Sequence, residues 1–314
     1  MTAKMNVEEI NKIYAEVDRF LLTTNQQSKR ELLRQYKIAL DRIRNELAYL
    51  YQKYGDDISN KTFRLDRLKD LNSQIVRSIA EFKITDATLI KNAIEKVYEE
   101  SYYLTGYAFE SGLGIKLGFG LLNKSVIEEA VKNDYSKIKW QTSSKKNIAK
   151  LIQQTRDEVT QGIIQGKGYK QTAQILADRL GMGASKALRI VKTESGRAQS
   201  EARLLALEKT QRAADLLGIK IKRRWMHSGN PRKPRQVHIH MDNQAADENN
   251  QFHFPSGPNK GKKTDGPRLS NIAEEDVNCG CTERVDVLGL EKAELADAKT
   301  LEKNTTFNEW KKSL

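Results

Sequence analysis

The sequence predicts a mainly α-helical protein, a long helical N-terminal arm with a small α+β C-terminal module. Three observations point there. Apolar residues recur three and four apart through the first 110 residues. All five prolines fall between Pro231 and Pro267, just after an alternating segment that begins at Ile219. All four histidines and both cysteines fall between His227 and Cys281.

The elements follow in order. Ile10, Ile13, Tyr14, Val17 and Leu21 share one helix face. Leu33, Tyr36, Leu40, Ile43, Leu47, Leu50 and Tyr54 continue as a seam suited to an antiparallel helix pair or a coiled coil, and Gly55-Asp56-Asp57 ends it. Leu68, Leu71, Ile75, Ile79 and Phe82 mark another helix. Thr85-Asp86 reads as the N-cap of a further one reaching Tyr107. These stripes are core positions.

Residues 112–120 hold four glycines. With no strand before them and no Gly-Lys-Ser/Thr after, they read as an apolar connector or partner-binding loop, not a phosphate loop. Helices resume at Ser125, where Ser-Val-Ile-Glu resembles a capping box. They are expected over 145–165 and 170–180. Gly181-Met182-Gly183 reads as a turn, and Ser185 as the cap of a helix running to Leu217 and closed by Gly218. Ile219, Ile221, Arg223 and Trp225 alternate as a strand does. Short strands are expected at 252–254 and 283–288. The domain reading is a helical arm over 1–111, a Gly-rich connector over 112–124, a folded domain over 125–290 and a polar tail over 291–314.

The formal net charge is +13, which favours polyanions through phosphate neutralisation and counterion release. Between Lys220 and Arg268 stand 11 Lys/Arg and 4 Asp/Glu. Lys220, Lys222, Arg223, Arg224, Arg232, Lys233, Lys260, Lys262 and Lys263 are candidate phosphate contacts. No helix-turn-helix or finger pattern accompanies them, so the expected binding to double-stranded DNA is non-specific. No apolar run is long enough to span a bilayer. The N-terminal residues lack the apolar core and cleavage site of a signal peptide.

Cys279 and Cys281 are one residue apart, a poor disulfide framework that suits a reducing compartment or metal ligation. As thiolates on a turn they are placed to reach one structural zinc ion, with His238, His240 or His253 completing a tetrahedron. On a strand over 237–241, His238 and His240 share a face; on a helix they do not. The competing reading needs no cofactor. His238 then bonds backbone or Glu194 within a buried Glu194–Arg235–His238 network, and the cysteines are small core residues of a tight turn. A third reading is a metal-dependent nuclease using His-x-His with Asp242 and Asn243, but no set of hard carboxylate ligands supports it.

Three blocks occur in order: Val-Lys-Thr-Glu-Ser-Gly-Arg-Ala from Val191, Arg-Gln-Val-His-Ile-His-Met-Asp-Asn-Gln from Arg235, and Val-Asn-Cys-Gly-Cys from Val277. With Trp225 they resemble the phage minor head protein family, the phage Mu F-like or SPP1-type head morphogenesis domain, over roughly residues 150–290. Thr193 and Glu194 match its Arg-Thr-Glu motif, with Lys192 in place of arginine. Arg235 and His238 match its Arg-x-x-His. Asp242 and Gln244 match its Asp-Gly-Gln, with Asn243 for glycine, and Cys279 and Cys281 match its Asn-Cys-x-Cys. The resemblance implies a non-enzymatic, morphogenetic role. It implies a virion protein of the head interior, assembled in the host cytoplasm. The expected partners are the portal, other head or scaffold proteins, and DNA, with ejection alongside the genome in some members. A structural helical protein unrelated to phage is the reading if the three blocks are coincidental.

Overall fold

The structure is a computed structural model describing residues 7–54, 61–132, 139–165, 167–227, 234–289, 299–302 and 304–314. Its helices are α1 (Val7–Tyr54), α2 (Lys61–Leu113), α3 (Lys124–Lys132), α4 (Trp140–Ile164), α5 (Tyr169–Asp215), α6 (Gln236–His240), α7 (Ala273–Asp276) and α8 (Phe307–Lys312). Its strands are β1 (Lys220–Met226), β2 (Phe252–His253), β3 (Lys263–Thr264) and β4 (Thr282–Leu288). The mainly helical architecture with a small α+β module is the expected one. Among the described residues, no helix is long and apolar enough to cross a membrane.

The chain divides into two compact units. One, whose described elements are all helices, comprises residues 25–92 and 138–192. Its α1 face buries Leu32, Tyr36, Ala39, Ile43, Leu47 and Tyr51. The expected seam is therefore offset at Leu33, which stays exposed, while Leu32 and Ala39 point inward. Tyr36 stacks on Phe82 with ring centroids 4.1 Å apart and donates to Asp86 at 3.2 Å.

Two expected helix breaks are absent from this unit. Thr85 and Asp86 lie inside α2, where Thr85 Oγ1 donates back to the Glu81 carbonyl at 3.4 Å and Asp86 is buried. Gly181–Ser185 lie inside α5, with Ser185 Oγ donating to the Gly181 carbonyl at 3.0 Å. Gly183 is present for packing. A Cβ there would meet Leu151 Cδ2 at 2.6 Å and Tyr36 Cε1 at 3.1 Å. Asn147 also donates to the Gly183 carbonyl at 3.2 Å.

The other unit comprises residues 1–24, 93–137 and 193–314. Its sheets are antiparallel pairs: β1 with β4, in register Arg223↔Val285 and Trp225↔Glu283, and β2 with β3, pairing Phe252↔Thr264. Arg203 joins α5 to α1 by donating to the Tyr14 carbonyl at 2.5 Å and pairing with Asp18 at 2.9 Å. Asn11 donates to the Val285 carbonyl at 2.9 Å and accepts from its amide at 3.0 Å. Gly218, at φ 71°, turns the chain from α5 into β1.

The Gly-rich segment is pinned rather than free. Ile115, Leu117 and Phe119 are buried, and the Leu117 amide donates to Glu110 Oε1 at 2.5 Å. The other Glu110 oxygen accepts from Trp310 Nε1 at 2.6 Å, which ties α8 to the same carboxylate. This helix carries a capping box between Thr306 and Glu309. Asn123, not Ser125, caps α3: its Oδ1 accepts from the Ser125 amide at 3.0 Å.

Candidate functional site

The alternation read at Ile221, Arg223 and Trp225 turns these residues inward on β1, and the strand hands the chain to His227. Trp225, Met241, Ala246, Phe252, Phe254, Cys279 and Cys281 form one buried cluster, with Val237 and Ile272 packed on it. The polar residues of the site are set into this small core.

Helix α6 contributes His238, buried edge-on to Trp225 with centroids 5.5 Å apart. Because residues 236–240 are helical, His240 leaves that face. It is exposed, with Nδ1 3.2 Å from Ser256 Oγ. His253 also stands apart, its Nε2 2.6 Å from Asp247 Oδ2. Of the histidines expected beside the cysteines, His238 stands there, His240 and His253 are engaged elsewhere, and His227 approaches Cys281.

The cysteines sit on the turn after α7. Asn278, at φ 58°, donates its amide to Thr193 Oγ1 at 3.2 Å. Arg235 donates to the Val277 carbonyl at 2.6 Å, and Arg268 to the Cys279 carbonyl at 2.8 Å. Arg268 also reaches Gln199 at 3.0 Å across Gly196, where a Cβ would lie 2.6 Å from the Arg268 Nε. The glycine of Thr-Glu-Ser-Gly-Arg therefore leaves room for the arginine that holds the cysteine turn, a link invisible in the spacing.

On this turn Cys279 Sγ lies 3.7 Å and Cys281 Sγ 3.6 Å from His238 Nδ1, while Cys281 Sγ lies 3.7 Å from His227 Nδ1. The ligand atoms of His238, Cys279 and Cys281 all fall within 4.8 Å of one another. The opposite edge of His238, Nε2, is 3.1 Å from Glu275 Oε2. This is ion-pair range at an angle too bent for a hydrogen bond, which leaves both buried atoms short of an aligned partner. The Cys279 thiol is pulled well below its ordinary pKa, first by its hydrogen bond with Cys281 and then, against the opposing effect of burial, by His238 and Arg268.

The expected Glu194–Arg235–His238 network is distributed over separate ties. Buried Glu194 pairs with buried Arg197 at 3.0 Å, and Arg197 donates on to the Ala130 carbonyl at 2.8 Å. Asp242 accepts from the His227 amide at 2.8 Å and so positions that histidine. Gln244 makes a pair of bonds with the His253 backbone, 3.0 Å and 2.8 Å.

The basic candidates divide. Lys220, Lys222, Lys260, Lys262 and Lys263 are exposed, with Lys263 paired to Asp247 at 3.1 Å. Arg224 pairs with Asp286. Arg223 is no surface cation. It is 1% exposed and clamped to Glu283 at 2.7 Å and 2.9 Å, because it shares the inward face of β1 with Trp225. Arg232 and Lys233 lie outside the described residues.

Fold and site together define a helical protein whose small α+β module is organised about a buried His/Cys cluster. Over residues 153–284 the chain matches the family described as Phage Mu protein F like protein, in keeping with its resemblance to phage minor head proteins. It is 24% identical over 305 residues to the minor head protein GP7 of Bacillus phage SPP1, covering 95% of this chain and 96% of that protein. It is 26% identical over 307 residues to the NAD(+)–arginine ADP-ribosyltransferase EFV of Enterococcus faecalis, covering 97% of this chain. The chain spans 61% of that transferase's length. No solved structure matches.

Proposed function

We propose that the chain acts as a minor head protein in phage head morphogenesis, a structural part of the virion head that docks to the portal during assembly in the host cytoplasm and touches DNA without sequence preference. One observation carries this reading: the likeness to GP7 runs nearly end to end in both proteins. The family's motif residues are spent on internal ties. Thr193 and Arg235 hold the cysteine turn, and Asp242 and Gln244 fasten the segments carrying His227 and His253. This use of polar side chains supports a scaffold rather than a reaction site. The 3% exposure of His238 argues against the nuclease alternative, in which a general base must meet its substrate. The arginine ADP-ribosyltransferase relative extends well beyond the matched region, so its named reaction is not carried to this chain. Contact with DNA is supported by the outward face of the β1–β4 ribbon, which presents Lys220, Lys222 and Arg284 to solvent.

The test is co-expression of the tagged full-length chain with the portal protein of the same phage. Co-elution of the two in gel filtration, with added DNA left intact in magnesium or zinc, is the expected result. Failure to associate, together with divalent-dependent DNA cleavage that His238→Ala abolishes, would replace this reading with an enzyme.

A further inference from the structure

We propose that His227, His238, Cys279 and Cys281 bind one zinc ion in a closed, structural Cys2His2 site. Three separations carry the argument: His238 Nδ1 to Cys279 Sγ at 3.7 Å, His238 Nδ1 to Cys281 Sγ at 3.6 Å, and His227 Nδ1 to Cys281 Sγ at 3.7 Å. A zinc tetrahedron with Zn–S of about 2.3 Å and Zn–N of about 2.0–2.1 Å has S···N edges of about 3.6 Å. Each separation has the length of one such edge: His238, Cys279 and Cys281 already converge, with ligand atoms within 4.8 Å of one another, and His227 touches Cys281 alone and would close on the ion from that side.

Hydrogen bonding among the thiols and imidazoles is the competing account, with Cys279 turned toward Cys281 or His238 and Cys281 toward His227 or His238. A neutral imidazole offers one ring nitrogen lone pair, and two buried sulfurs crowd that of His238. A metal ion at the centre satisfies both sulfurs and both nitrogens at once. It also gives the far edge of His238 a role. With the metal on Nδ1, the proton stays on Nε2, beside the Glu275 carboxylate 3.1 Å away, where a small ring rotation makes the aligned bond. Two thiolates and two imidazoles are a borderline-soft set at tetrahedral spacing, which selects zinc over magnesium or calcium.

The Cys-x-Cys spacing differs from that of a zinc knuckle, whose cysteines stand further apart. Here the turn does not rely on a knuckle's own geometry. Thr193 on α5, Arg235 before α6 and Arg268 each hold its backbone, which fixes both sulfurs in place. Four protein donors leave no open position for water, so the ion acts by joining β1, α6 and the cysteine turn rather than by activating a nucleophile. A module whose sheets are two-stranded and whose core is one small cluster gains most from such a cross-link.

The experiment uses the full-length chain purified with neither added metal nor chelator. Elemental analysis is expected to find about one zinc per chain. Exchange for cobalt(II) is expected to give the visible bands of a tetrahedral ion and a thiolate-to-cobalt charge-transfer band. Cys281→Ser removes stoichiometric zinc. Because that variant risks misfolding, the unaltered chain provides a second reading: a strong chelator lowers Tm, and zinc alone restores it. His227→Gln, at the partly exposed edge, keeps the fold and shifts the cobalt bands. Substoichiometric zinc in folded protein, with no rise in Tm on adding zinc, overturns the site. An unchanged cobalt spectrum in His227→Gln overturns the fourth ligand.

Discussion

Arg223 is held by more than its ion pair with Glu283. It also donates to the Asn250 carbonyl at 2.9 Å and to the Asp265 carbonyl, and its guanidinium lies over the Phe252 ring with its carbon 5.1 Å from the centroid. Arg223→Ala would strand the 7%-exposed Glu283 without its partner. Loss of one member of such a pair costs about 3–5 kcal/mol, so a fall of that order is expected in urea denaturation. A loss under about 1 kcal/mol would mean that water replaces the guanidinium. Asp86 shows the opposite economy: burial pushes its carboxyl up to about 7, against the lowering hydrogen bond from Tyr36. A carboxyl whose folded pKa lies above its unfolded value binds more protons when folded. Its contribution is therefore complete below about pH 4 and is lost as pH rises through about 7, a change of about 4 kcal/mol at most. Asp86→Asn keeps an acceptor for Tyr36 and should flatten that stretch of the stability–pH curve while raising Tm at pH 8. An unchanged curve would show that Asp86 ionises at its ordinary pKa. The sequence named His238, Cys279 and Cys281 because clustered thiols and imidazoles are few. His227 escaped because its place depends on where β1 delivers the chain. Arg223 was misread although it shared the Trp225 face in the alternation, since net charge describes a segment and the pleat describes a side chain.

The helices of the unit comprising residues 25–92 and 138–192 were legible wherever apolar residues kept their three-and-four spacing, and illegible at apparent breaks. Thr85-Asp86 carries the chemistry of a cap, yet α2 runs through it because Tyr36 engages Asp86 from the side. Gly181-Met182-Gly183 carries the chemistry of a turn, yet α5 runs through it because Leu151 and Tyr36 press against the helix at Gly183. Local propensity loses at both places to a neighbour far away in sequence. The two glycines should consequently respond with opposite signs. An alanine Cβ at Gly181 meets nothing within 4 Å, so Gly181→Ala should stabilise by up to about 1 kcal/mol through helix propensity. At Gly183 the same change forces Leu151 aside from 2.6 Å, and overpacking of about 1–3 kcal/mol outweighs that gain. Paired thermal melts check this. Two upward shifts in Tm would show that the Leu151 side chain rotates away freely.

At the scale of the whole molecule, an excess of 54 Lys/Arg over 41 Asp/Glu gives a field but no address, and the folded face decides where the field is usable. On the β1–β4 ribbon, pleating sends Trp225, Val285 and Val287 inward and leaves Lys220 and Lys222 on the solvent side. Arg224 is partly neutralised by Asp286 across the ribbon. Each free cation that meets a phosphate releases a counterion, and the slope of log affinity against log salt steepens by about 0.9 per contact on duplex DNA. Replacing Lys220 and Lys222 together by alanine should therefore make the slope shallower by about 1.8 if both meet phosphate. Two full contacts correspond to a loss of roughly tenfold in affinity between 50 and 200 mM salt in the unaltered chain beyond that of the variant. Binding should be the same for duplexes of unrelated sequence, because contacts to phosphate carry no sequence information. Fluorescence anisotropy with two such duplexes over a salt series decides the matter. Equal slopes for the double variant and the unaltered chain would move the DNA contact away from this ribbon, and a strong preference for one duplex would contradict a purely electrostatic interface.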